Sequence, residues 1–113
     1  MSKVISREER LRGLLGIAMR AGRLITGADT VLNTVRAGKA QLVLADEAAS
    51  ENTLKKVKDA CIYHHAAIMY LPQGLLESAT GRDGRMLGVL TDQGFARKIQ
   101  EIMAEDRQAS ADA

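Results

Sequence analysis

Two hydrophobic patterns alternate along this chain. One repeats at helical spacing and the other forms short unbroken apolar runs. After Ser6, a cap-type residue, Leu11, Leu14, Leu15 and Ala18 make the stripe of a helix that Gly22 ends. Ala28, Val31, Leu32 and Val35 share the inner face of a second helix, closed by Gly38. Ser50 starts a third, with Leu54, Val57 and Cys61 inward and Lys55, Lys56 and Lys58 outward. "GLLESA" reads as a short helix, and Thr91 or Asp92 caps a last one with Phe95, Ile99 and Ile102 or Met103 inward.

Strands are expected at "RLIT", at "QLVLA", at "AAIMYL" closed by Pro72, and at "MLGVL". The run at 41–45 is nearly all apolar, which suits a strand buried on both faces. Alternating helices and strands point to an α/β fold, a three-layer α/β/α sandwich around a small mixed sheet of about four strands. Residues 1–104 read as one domain, and "AEDRQASADA" reads as a frayed or disordered acidic tail covering 105–113.

Composition narrows the function. No apolar run approaches the ~20 residues that span a bilayer, and no apolar leader opens the chain, so a cytoplasmic protein without a membrane partner is expected. One cysteine allows no internal disulfide. Residues 1–40 carry eight Lys/Arg against three Asp/Glu, while the whole chain is only +2. Such asymmetry fits a polyanion near the N-terminal part as well as it fits a mixed-charge solvated surface. Three aromatics and no Trp cannot build a stacking platform for single strands, so a nucleic-acid target would be a shaped, structured one.

Several chemistries fall away. Cys61 and His64 stand at i, i+3, but a zinc site needs three or four ligands and no further Cys or His lies outside this segment. "GRLITG" lacks the Lys-Ser/Thr of a phosphate loop. No nucleophile, base and orienting group occur together, so no enzyme and no cofactor is expected.

Two segments keep a signal. Gly27 permits an unusual turn directly before a helix, whose start offers free N–H groups to a phosphate. The outward face of that helix carries Asp29, Thr30, Asn33 and Arg36, side chains able to meet base edges or phosphate. Spacing alone fits a capped surface helix at least as well. "TGRDGR" brings Thr80, Gly81, Arg82 and Arg85 into a turn-rich loop before the last strand, and a plain exposed turn explains it equally. Both segments sit at strand ends, where α/β folds bind ligands.

The run "LLGIAMRAGRLITGADTVLNTVRAGKAQLVLADEAASENT" together with "ATGRDGRMLGVLTDQGFARKI" resembles the ribosomal L7Ae/L30e superfamily, known for binding kink-turn RNA, in its bacterial YlxQ-type branch. The resemblance covers about residues 8–100. It implies a non-catalytic RNA-binding domain with structured RNA as partner, ribosomal RNA among the candidates. The family's contact motif, a glycine followed by Asn-Glu and a Lys three residues later, falls on Gly27, Asp29, Thr30 and Asn33. The glycine is kept and the three side chains differ. The family's second contact loop falls on Thr80, Gly81, Arg82 and Arg85. Because of those departures, a protein–protein module of a ribosomal or transcription complex is the alternative expectation.

Overall fold

The computed structural model describes the backbone of residues 6–112 and the side chains of residues 6–105. Its elements run α1 (Arg7–Arg20), β1 (Leu24–Thr26), α2 (Ala28–Arg36), β2 (Leu42–Asp46), α3 (Glu51–His64), β3 (Ile68–Leu71), α4 (Leu75–Thr80), β4 (Leu87–Leu90) and α5 (Gln93–Asp112). The backbone of α5 is helical through Asp112, past residue 104, where the sequence pattern placed the end of the domain.

The four strands form one mixed sheet in the order β1-β4-β2-β3. β4 is antiparallel to both neighbours, and β2 and β3 are parallel. All five residues of β2 are buried, as a strand covered on both faces requires. Alternation sorts its side chains. Leu42 and Leu44 join Leu11, Leu15, Leu76, Ile99 and Ile102 beneath α1, α4 and α5. Val43 and Ala45 join Val31, Val35, Val57 and Cys61 beneath α2 and α3. The result is the expected three-layer sandwich.

Local chemistry sets the helix starts. The Ser6 and Ser50 hydroxyls accept from the Glu9 and Thr53 N–H groups, and the Asp92 carboxylate accepts from Phe95 N–H. The two glycines inside α1 behave differently. Gly16 is buried, with the Ala79 carbonyl of α4 3.4 Å from where its Cβ would be, whereas Gly13 faces open space.

Strand directions place four features at one end of the sheet. The end of β1 lies beside the start of β4, with Thr26 paired to Gly88, and Ala45 of β2 pairs with Leu87. The starts of α2, α3 and α4 and the 81–86 loop therefore crowd together there. Asp46 ties this end down. It is fully buried, and its carboxylate accepts from Ala48 N–H at 2.7 Å and from Gly74 N–H at 2.9 Å.

Candidate nucleic-acid interface

Gly27 leaves β1 with φ +110° and ψ 136°, a conformation that side-chain-bearing residues rarely adopt. Its N–H donates to the Leu87 carbonyl at 3.1 Å, locking the turn onto β4. α2 then begins without a side-chain cap, unlike α1, α3 and α5. Its first-turn N–H groups are left for an outside acceptor, at the positive end of the helix dipole.

The 81–86 loop meets this helix start. Gly81 and Gly84 both take positive φ, and the Glu77 carboxylate accepts from Gly84 N–H at 3.0 Å, which fixes the loop to α4. Arg85 is thereby laid over Gly27, its Nη1 2.9 Å from where a Cβ would be. Only a glycine leaves room for the guanidinium in this position. Gly27, Ala28, Thr53, Gly84, Arg85, Met86 and Leu87 enclose a cavity of about 210 Å³.

Asp29, Thr30, Asn33 and Arg36 are all exposed on α2, as expected. Asp29, Asn33 and Arg36 lie at i, i+4 and i+7, one outward stripe. Arg36 sits at the far end of the helix, about 10 Å along the axis from Asp29. The structure thus brings Gly27 and Arg85 together, sets Asp29 in the neighbouring cleft against α3, and leaves Arg36 at the margin.

Arg82 is exposed and lines a separate hollow with Met19, Leu24 and Ile25. Gly81 is exposed in the loop, as expected. Thr80 is a correction to the expected loop. It is the last residue of α4, 6% exposed, and its hydroxyl donates to the Leu76 carbonyl at 2.8 Å. A buried, already bonded hydroxyl has no surface to offer, so the loop begins at Gly81.

The sequence pattern found α3 but did not place it at this site. Its first turns lie against α2, and Asn52, Thr53 and Lys56 share a cleft with Ala28, Asp29 and Leu32. Lys56 is exposed there and supplies a cation from α3 in the cleft that Asp29 lines. Helical spacing marks Lys56 as outward but cannot say which neighbour it stands beside.

A larger hollow, about 430 Å³, lies elsewhere, between β3 and α5. Ile68, Met69, Tyr70, Gln100, Met103 and Ala104 line it without a cation, so it offers nothing to a polyanion. Among the described residues, no three His, Cys, Asp or Glu side chains converge to hold a metal. No helix among them is long and apolar enough to cross a membrane.

Comparison with known proteins assigns the chain. Residues 9–99 match the ribosomal protein L7Ae/L30e/S12e/Gadd45 family, and the chain belongs to it. Within it, the chain is 38% identical over 91 residues to a Bacillus subtilis protein named RNA-binding protein YlxQ. That match covers 80% of this chain and 91% of the relative. The Enterococcus faecium protein of the same name is 36% identical over 96 residues, covering 84% and 92%. These relatives place the chain in the YlxQ-type branch, and they agree with the expectation that it is not an enzyme.

Solved structures show the same fold. A Bacillus halodurans protein described as of unknown function superposes with TM-score 0.79 at 30% identity, covering 84% of this chain and 97% of that one. A Giardia lamblia 15.5kD RNA binding protein superposes with TM-score 0.67 at 16% identity, covering 93% and 92%.

Proposed function

We propose that this protein is a non-catalytic RNA-binding protein of the cytoplasm. Its target is a structured RNA with a distorted helix of the kink-turn kind, ribosomal RNA among the candidates. The observation that carries the reading is Arg85 lying over Gly27 at the uncapped start of α2. A glycine turn, free helix N–H groups and a guanidinium then face one point, the chemistry a phosphate takes. The names of the Bacillus subtilis and Enterococcus faecium relatives support RNA as the source of that phosphate.

Asp29, Thr30 and Asn33 face the base edges in this arrangement. Asp29 accepts from a guanine N–H, and Asn33 both donates and accepts. Without a cation at Asn33, attraction to phosphate comes from Arg85 over the turn and Lys56 across the cleft. Recognition then depends more on shape and on the loop than on the α2 side chains.

Mobility shift with a kink-turn RNA and a plain duplex of equal length tests this. The expected result is tighter binding of the kinked RNA, and a salt slope that Arg85→Ala reduces by about 0.9 per lost duplex phosphate contact. Equal weak binding of both RNAs, with no change on Arg85→Ala, would overturn the assignment. Stable co-purification with a ribosomal or transcription protein in place of RNA would then favour the interaction-module reading.

A further inference from the structure

We propose that the end of the sheet opposite Gly27 is a second phosphate-binding face, which holds the backbone of another RNA helix while the Gly27–Arg85 site holds the first; this rests on the RNA reading above. A four-residue pattern occurs twice in the sequence, as Arg20-Ala21-Gly22-Arg23 and as Arg36-Ala37-Gly38-Lys39. In the structure the two copies are a matched pair of helix ends.

α1 and α2 stop in the same way. Gly22 and Gly38 both take φ +73°. Gly22 N–H donates to the Met19 carbonyl and Arg23 N–H to the Ala18 carbonyl, while Gly38 N–H donates to Val35 and Lys39 N–H to Thr34. Each cap thus satisfies carbonyls of the last turn by backbone bonds alone. Arg20 and Arg36, in the last turns, offset the negative ends of their helix dipoles. Arg23 and Lys39 lie beyond the helices, and neither their side chains nor their charges are needed for the caps.

Sheet topology brings the two caps to one end. Leu24, the first residue of β1, and Leu42, the first of β2, both pair with Leu90, the last of β4. Two strand spacings separate β1 from β2 there, about 10 Å. α1 packs on one face of the sheet and α2 on the other, so cations reach this end from both layers. Gly27 stands four residues along the chain from Arg23, about 13 Å away at the rise of a strand. A single phosphate cannot meet both ends, whereas two RNA helices can.

Charge and shape select the occupant. Residues 10–45 hold six Lys/Arg against one acid, Asp29, which lies at the Gly27 end of α2. Arg20, Arg23, Arg36 and Lys39 are exposed, and none of them makes an ion pair among the described residues. The Arg20 guanidinium lies back along α1 near Gly16, so Arg23, Arg36 and Lys39 form the centre of the face. Asp92 follows the end of β4, but its carboxylate is taken up by Phe95 N–H. Nothing lies within 4 Å of where a Cβ on Gly22 or Gly38 would stand, so a ribose–phosphate backbone can approach closely. A folded protein partner fits less well. Interface cores are apolar and aromatic, and the large exposed apolar side chains, Ile17, Ile62, Tyr63 and Tyr70, all lie outside the two caps. Long cations on small cap residues hold phosphates without reading bases, so the second helix is bound whatever its sequence.

The test adds a labelled plain duplex RNA to full-length protein carrying one equivalent of an unlabelled kink-turn RNA, read by mobility shift. A ternary complex is expected. Arg23→Gln/Lys39→Gln is expected to weaken the duplex step about tenfold and to lower its salt slope by about 1.8, roughly 0.9 for each of two phosphate contacts, with kink-turn affinity retained. Arg85→Ala is expected to weaken the kink-turn step and leave the duplex step, and so reports on the underlying RNA reading separately. A duplex that enters only by displacing the kink-turn RNA, or a ternary complex unchanged in the double variant, would overturn the proposal while leaving RNA binding intact. Displacement of the duplex by polyglutamate of equal total charge would assign the face to an acidic protein and overturn it too. Binding of neither RNA would overturn both readings.

Discussion

The Nη1 atom of Arg85 lies 2.9 Å from the point where a Cβ on Gly27 would stand, so two segments 58 positions apart in sequence form one surface. This contact joins the start of α2 to the loop before β4. Neither segment is persuasive alone, since glycine turns and arginine loops are common. Held together by β1–β4 pairing and by Glu77, they make a fixed concave site at the end of the sheet.

Gly27→Ala is therefore expected to act twice. The φ of +110° is strained for alanine, a cost of about 1–3 kcal/mol. The new methyl group also displaces the Arg85 guanidinium, which is the flexible end of a long side chain and moves readily. Urea denaturation is expected to show the strain, and RNA titration a larger loss of affinity than the stability change explains. Unaltered stability would mean that the turn relaxes to negative φ.

Asp46 is the structural counterpart of this site. Asp46→Ala leaves the Ala48 and Gly74 N–H groups without their acceptor, at a cost of about 2–4 kcal/mol in urea denaturation. Asp46→Asn is expected to be nearly as damaging. Both carboxylate oxygens accept, so an amide would aim its NH2 at one of two N–H donors. Full rescue by asparagine would contradict the two-acceptor role.

The Arg10–Glu105 ion pair ties the first turns of α1 to α5. The hydrogen bond from Arg10 holds the Glu105 carboxyl below its ordinary value of 4.5. A depressed carboxyl contributes stability above its unfolded value, and that contribution disappears as pH falls through the folded one. The gap between wild type and Glu105→Gln is accordingly expected to be present at pH 7 and to close below about pH 4, with salt shrinking it. Both side chains are exposed, so the effect is small. A gap that widens in acid would contradict the pairing.

Cys61 is 2% exposed beneath α3, and burial pushes its thiol up from the ordinary range. Labelling by a thiol reagent at neutral pH is expected to be slow and to follow the opening of the domain as urea is added. Rapid labelling of the native protein would show that α3 lifts from the sheet without global unfolding.

Much of the fold was legible because its signals are local. Ser6 and Ser50 announce their helices, 41–45 announces a doubly covered strand, and the gap from Gly22 to Gly27 leaves room for a three-residue strand. The outward face of α2 was legible for the same reason, since helical periodicity fixes which residues point outward. What was not legible depends on tertiary neighbours. Thr80 looked like a loop residue, yet α4 extends to include it and its hydroxyl turns back to Leu76. Arg82 and Arg85 stand three positions apart but line different hollows. Lys56 enters the site only because α3 packs beside α2, which no spacing rule encodes.

The most direct test is to titrate the isotope-labelled protein with a kink-turn RNA and map amide chemical-shift changes by NMR. The account expects the largest changes at residues 27–33 and 84–87, with smaller ones at 52–56. Changes centred on β3 and α5, around Tyr70 and Met103, or no saturable change at all, would contradict it.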